Sequence, residues 1–492
     1  MNTALVASGS AAVDAQSTWS DAELKSPLPK AIFSKSSTDT QTRIEEPNVV
    51  GNRVVLRPGG KIGRDEGAVV IDLFKDGGLT TDDQLTIMSA ESDDMTLDKD
   101  SWELTVVKKD TFNVLSNKLN VQSSGFVYLG ADETDAYPTG GNANLEQVTG
   151  NGEIRIKVSG SILNASDSSD PVIQGHKAIL EAASGSIGTA DKAVTLGLTG
   201  GGTPSAATLV ARAQEGIWIT QIGDMRVADV YSPGAVTLTA QGAMIDARGN
   251  DRTRALEAGE ATLIAQGGAV GSAVNPFVVK ASTTGGVNAF SAAGYSVYLA
   301  GAETGLTVND IDSGGDIYLD AAQKDVIANG DLSATGRVSV LATEGIQLQG
   351  VSSGSNVSLI AYGGDADVLG DITASGSVDI SATGGISTRG ISSGLDITLA
   401  ADSGNLGVEG DLIAVGGIDV TAGGTGSIDM ASGSTFQAVS GGIYLSANDV
   451  GISELDAARS VLVVADGDIT DTSEEDDAVN AGGMGVTLLA GG

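Results

Sequence analysis

Apolar and polar positions alternate with a period of two in short runs, and those runs recur about every 20 residues through the last third of the chain. In Val338-Ser-Val-Leu-Ala342, Val338, Val340 and Ala342 turn toward one face. Ile346 and Leu348 then begin a second short strand, and Gly350-Val-Ser-Ser-Gly354 reads as the closing turn. Equivalent openings fall at Val297, Ile317, Val338, Val357, Val378, Ile397 and Ile418. Period-two alternation gives an inward row of Val, Ile, Leu and Ala and an outward row of Ser, Thr, Asp and Gln. A unit this short cannot bury its apolar face alone, so neighbouring units must stack, and the pattern predicts an all-β solenoid with coils of about 20 residues.

The pattern divides the chain in three. Residues 1–47 are rich in Ser, Thr, Ala and Asp, hold no lasting periodicity, and predict a polar irregular arm. Residues 48–149 carry plausible strands at uneven spacing, a less regular first part of the solenoid. Residues 150–492 predict the regular parallel β-helix, opening with Gly152-Glu-Ile-Arg-Ile-Lys-Val158. Composition fits small cores in series: only 4% of the 492 residues are aromatic, while 69 are glycine, expected at corners where φ is positive or backbones approach closely.

Charge narrows the partners. A formal charge of -36 repels nucleic acid and anionic headgroups, so neither is expected to bind. With no cysteine there is no disulfide framework and no thiolate metal site. No apolar run reaches the roughly 18 residues that span a bilayer. The opening Met1-Asn-Thr-Ala-Leu-Val lacks the basic and apolar regions of a signal peptide, so export uses another signal or the chain belongs to a longer one.

A longer motif is also present. Leu180-Glu-Ala-Ala-Ser-Gly-Ser-Ile-Gly188 is followed by Val194-Thr-Leu196, and Leu263-Ile-Ala-Gln-Gly-Gly-Ala-Val-Gly271 by Phe277-Val-Val279. A shorter relative is Leu56-Arg-Pro-Gly-Gly-Lys-Ile-Gly63. This pattern resembles the coils of filamentous-haemagglutinin-like and giant repetitive bacterial adhesin exoproteins, over roughly residues 48–492. The resemblance implies a right-handed parallel β-helix, secretion to the cell surface, and an adhesive or scaffold role, with host or matrix glycans among the partners. The family's N-terminal secretion signal and translocation domain have no counterpart in these residues.

Several motifs bear on chemistry. Gly350-Val-Ser-Ser-Gly354 and Gly390-Ile-Ser-Ser-Gly394 match the Gly-x-Ser-x-Gly of a nucleophile elbow, but they recur two coils apart and read as equivalent turns. The sole histidine, His176, precedes the strand at Ala178–Leu180 and reads as a turn residue. Arg155-Ile-Lys157 resembles a polygalacturonase triplet, without the Gly-His-Gly and paired-Asp motifs that precede it there, so carboxylates for glycoside hydrolysis have no holders. No catalytic centre and no cofactor is expected.

Acidic residues are the remaining candidates. Val351 to Gly492 holds 20 acidic residues against Arg389 and Arg459, a solvated face that blocks lateral pairing. Asp331, Asp371 and Asp411 recur at 40-residue intervals, each after a glycine, and are the candidate ligands for a hard cation such as Ca²⁺, since stacked carboxylates repel without salt or a divalent ion. Asp365, Asp367 and Asp371 form a second candidate cluster. Loops at 136–144 and 250–257 are where a ligand is expected to dock. Val486-Thr-Leu-Leu-Ala490 reads as a fresh coil, so the end is expected to meet either the rest of a longer chain or another copy, head to tail. The expectation is an extracellular structural or adhesive rod, the stalk of a bacterial surface adhesin. The alternatives are a self-assembling filament or surface-layer subunit, and last a polysaccharide-active enzyme.

Overall fold

The computed structural model describes residues 142–491 except 151, 159, 201–206, 250–253, 283, 304 and 474–477, together with the backbone of strands between Val49 and Ala131. The expected arm over 1–47, the motif at Leu56–Gly63 as a whole, most of the loops at 136–144 and 250–257, the acidic run at 474–477, and Trp19 and Trp102 lie outside the described residues. Every described element is a strand, the paired strands run parallel, and the architecture is a β-solenoid. The chain divides into two compact units, residues 1–248 with 255–259, and residues 249–254 with 260–492.

In the first unit the stacking is uneven, as the sequence spacing implies. Val54 sits opposite Leu85, and Leu85 opposite Leu119. Further on, Ile154, Ala178, Leu209 and Val227 form one column, although the sequence distances between them vary widely. The register slips between Leu209 and Val210, where Val227 is followed by Asp229 as the next partner. Isolated expectations hold here: Ala178–Leu180 lies inside strand Lys177–Ala182, and Val194–Leu196 inside Val194–Leu198. The 136–144 loop is shorter than expected, because Ala143 and Asn144 already belong to strand Ala143–Thr149.

The second unit is regular. Val297, Ile317, Val338, Val357, Val378, Ile397 and Ile418 all open strands and stand directly over one another. Each coil carries a long strand such as Val338–Ala342, a second strand such as Ile346–Leu348, and a third such as Gly350–Ser353. The second strands form their own nine-stranded parallel sheet. Inward rows are closed: Val338, Val340, Ala342, Ile346, Leu348 and Val351 are buried in one coil. Each large aliphatic contributes roughly 1.5–3 kcal/mol by leaving water, so a coil gains its stability only with neighbours in place.

The third strand corrects the turn assigned to the Gly-x-Ser-x-Gly segments. Gly350–Ser353 and Ile391–Ser393 are paired strands, with Val351 and Ile391 buried in the same column. The inward serines that follow are tolerated because their hydroxyls are satisfied. Ser353 Oγ donates to the Gly336 carbonyl at 2.7 Å and accepts the Ser355 N–H at 3.2 Å. Ser393 repeats this with Gly376 and Leu395.

Glycine serves two separate purposes. At the motif ends, Gly188 and Gly271 take positive φ (72° and 67°), and a Cβ there would also strike a carbonyl of the next coil. Within the regular coils the need is space: a Cβ on Gly354 would overlap the Thr335 carbonyl oxygen, and one on Gly394 that of Ser375, with φ ordinary at both.

Candidate functional site at the coil corners

The polar residues of the regular coils converge at three corners, one before each strand of the coil. Before the long strand, Asp316 Oδ1 accepts the N–H of Arg337 at 2.8 Å, Asn356 Oδ1 that of Ser377 at 3.1 Å, and Asp396 Oδ1 that of Gly417 at 2.7 Å. Before the second strand, Asp325 accepts from Gly345 at 2.7 Å, Asp365 from Gly385 at 2.6 Å, and Asn405 from Ser427 at 3.1 Å. Before the third, Asp371 accepts from Gly390 at 3.2 Å and Asp411 from Thr435 at 2.9 Å. Asp331 stands over Gly350 in the same column, where a Cβ would lie 2.8 Å from its Oδ1.

These acceptors share coils. Asp316, Asp325 and Asp331 belong to one winding. Asn356, Asp365 and Asp371 lie two windings on, and Asp396, Asn405 and Asp411 two further. The windings between supply N–H groups. From Asp316 to Thr435 the repeat is therefore a pair of coils, acceptor then donor, which accounts for the 40-residue recurrence of Asp331, Asp371 and Asp411, whereas one winding earlier Asp310 Oδ1 accepts the Asp331 N–H at 3.2 Å.

All three of those candidates are exposed and lie in one column, separated by Gly350 and Gly390. At about 4.8 Å per coil, successive carboxylates are about 10 Å apart, where their repulsion in water is about 0.4 kcal/mol. A hydrogen bond to a charged group contributes about 1.5–3 kcal/mol. The backbone seats of Asp371 and Asp411 therefore outweigh the repulsion between those two carboxylates. Among the described residues, no group of three or more His, Asp or Glu is placed to hold a metal.

The second cluster is divided between corners. Asp365 occupies the corner before the second strand and Asp371 the one before the third, with Asp367 on strand Ala366–Val368 between Gln347 and Ser387. Burial lifts the Asp367 carboxyl above its usual range, and the charge of Asp365 adds to the shift. Elsewhere, Ser473 donates from its hydroxyl and its N–H to Asp471 Oδ1 (2.6 and 2.8 Å), holding that carboxyl below its usual range.

The remaining sequence candidates are dispersed. His176 lies in the turn before Lys177, where its N–H donates to the Gly152 carbonyl and its own carbonyl accepts from Gly200. The Arg155 guanidinium pairs with Glu153, which Lys177 also reaches at 3.0 Å. Trp218 sits on strand Gly216–Gln221 opposite Thr237.

Sequence reasoning missed the buried charged pairs, Arg248 with Asp246 at 2.9 Å among them. Arg212 is 1% exposed and donates to Asp229 Oδ2 at 2.6 Å, beside the register slip, with buried Glu181 opposite Arg212 on the preceding coil. Only a length-matched column would have revealed it, and the uneven spacing of this unit hides that column. The fold defines a class, the parallel β-solenoid. No family model, no curated protein and no solved structure matches the chain. Among the described residues no helix is long and apolar enough to cross a membrane.

Proposed function

We propose that this chain is a structural element, the β-solenoid stalk of an exported bacterial adhesin that carries binding surfaces on a stiff scaffold. The observation behind the proposal is the alternation of acceptor and donor coils, in which corner carboxylates join winding to winding. Side chains bound into such columns resist shear and leave few polar groups to move during a reaction. The adhesin assignment rests on the strand, Gly-x-Ile-Gly turn, strand resemblance. Gly188 and Gly271 support it by sharing one backbone conformation.

Electron microscopy of the purified chain tests the stalk: straight single rods agree with it, and compact particles reject it. Protease treatment of intact producing cells tests surface exposure, since a chain that survives until lysis is not on the outside. Binding to immobilised host and matrix glycans tests adhesion.

A further inference from the structure

One corner of the regular coils breaks the polar rule of its face. The outward position of the third strand is Asp312, Ser333, Ser352, Thr373 and Ser392 on successive coils, and then becomes Ile413. Val415 follows on the same strand side, 49% exposed. Val439 lies one coil further, its N–H bonded to the Ala414 carbonyl, and Leu395 one coil back, its carbonyl accepting the Gly416 N–H. These neighbours are 55% and 54% exposed, and Ile413 is 38%. Single exposed aliphatics are ordinary, but four that the backbone ladder places on three adjacent coils offer an apolar patch that water leaves at a gain.

Charge around the patch selects the occupant. Asp396 follows Leu395 directly, Asp411 precedes Ile413 on the same side, and Glu454 and Asp456 edge the next coil. Against them stand Arg459 and an Arg389 that already faces Glu409 at 3.9 Å. Thr435 and Gln437 hold Glu454 and Asp456 in place at 3.0 and 3.1 Å. A second copy would bring this acidic rim, and a chain of charge -36, against its own kind. Anionic lipid is repelled by the same rim. We propose that Leu395, Ile413, Val415 and Val439 form the docking surface for a basic polypeptide whose apolar side chains are flanked by Lys or Arg. Such a surface goes beyond the stalk reading, since a stalk needs none.

The test titrates the full chain into a labelled synthetic peptide of alternating Leu and Lys, read by fluorescence anisotropy, with an all-Lys peptide and phosphatidylcholine vesicles in parallel. Replacing Leu395, Ile413, Val415 and Val439 together with Ser is expected to weaken Leu–Lys binding on the order of 10-fold or more. Asp396→Asn with Asp411→Asn keeps both Oδ1 acceptors for the backbone while removing charge, and is expected to weaken binding about threefold per charge. If the Ser variant does not fold, this second variant decides alone. Equal binding of the all-Lys peptide, binding unchanged by either variant, or no peptide binding overturns the proposal. So does vesicle binding without peptide binding, or self-association of the native chain that the Ser variant abolishes.

Discussion

The carboxylate of Asp365 accepts the backbone N–H of Gly385, one coil further along the chain, at 2.6 Å. This contact joins two windings through a side chain at a point where the sheet ladder has not yet begun. Replacing Asp365 with Ala should cost about 1 kcal/mol, because the donor loses its protein partner at a site water still reaches. Asp365→Asn should stay close to the parent, as Asn405 already fills the equivalent position. Urea unfolding curves of both variants make the comparison.

Crowding between coils gives a sharper expectation. Gly354→Ala places a methyl group against the Thr335 carbonyl, a contact that only backbone displacement relieves. A loss of about 1–3 kcal/mol is expected. Gly407→Ala is the control, since a Cβ there meets nothing within 4 Å. Similar midpoints for the two variants would contradict the role assigned to Gly354.

The pair Arg212 and Asp229 is expected to dominate the charged contributions in its unit. Arg212→Ala leaves Asp229 without this guanidinium in a largely dry setting and should cost about 3 kcal/mol. Removing both charges, with Arg212→Met and Asp229→Asn, should cost less than the two single changes added together. A double-mutant cycle by thermal or chemical unfolding measures the coupling.

Acidity offers a separate check through Asp367. Its carboxyl is raised in the folded chain from the ordinary 3.8, so the folded state holds the proton to higher pH than the unfolded state does. Folding then takes up a proton in the window above 3.8, and stability falls as pH rises through it. Asp367→Asn should therefore raise Tm at neutral pH, and the gain should vanish well below the ordinary carboxylate value. A gain that is the same at every pH would point to packing instead.

Calcium addition is expected to leave the melting temperature unchanged, because Asp371 and Asp411 already seat on N–H groups and stand two coils apart. A rise in millimolar Ca²⁺ that a chelator reverses would instead assign an ion to the column.

The long strands were legible in the sequence to the residue. Val338, Val357 and Val378 announce themselves because β-branched side chains alternate with polar ones and the segments between them differ in length by only two residues. The third strands were not, since Gly350-Val-Ser-Ser carries only one apolar side chain and its inward Ser353 looks polar until its carbonyl partner is known. Asp331, Asp371 and Asp411 showed their interval but not its meaning, which depends on Gly350 and Gly390 lying between them. Positive φ explains Gly188 and Gly271, whereas Gly354 and Gly394 answer to a neighbour no local pattern names.

Because acceptor and donor windings alternate, the regular stretch has a step size. Excising one winding would set acceptor against acceptor, or donor against donor, at its corners, while excising a consecutive pair would keep acceptors facing donors. Natural variation in length, and any engineered lengthening, should therefore proceed by even numbers of turns.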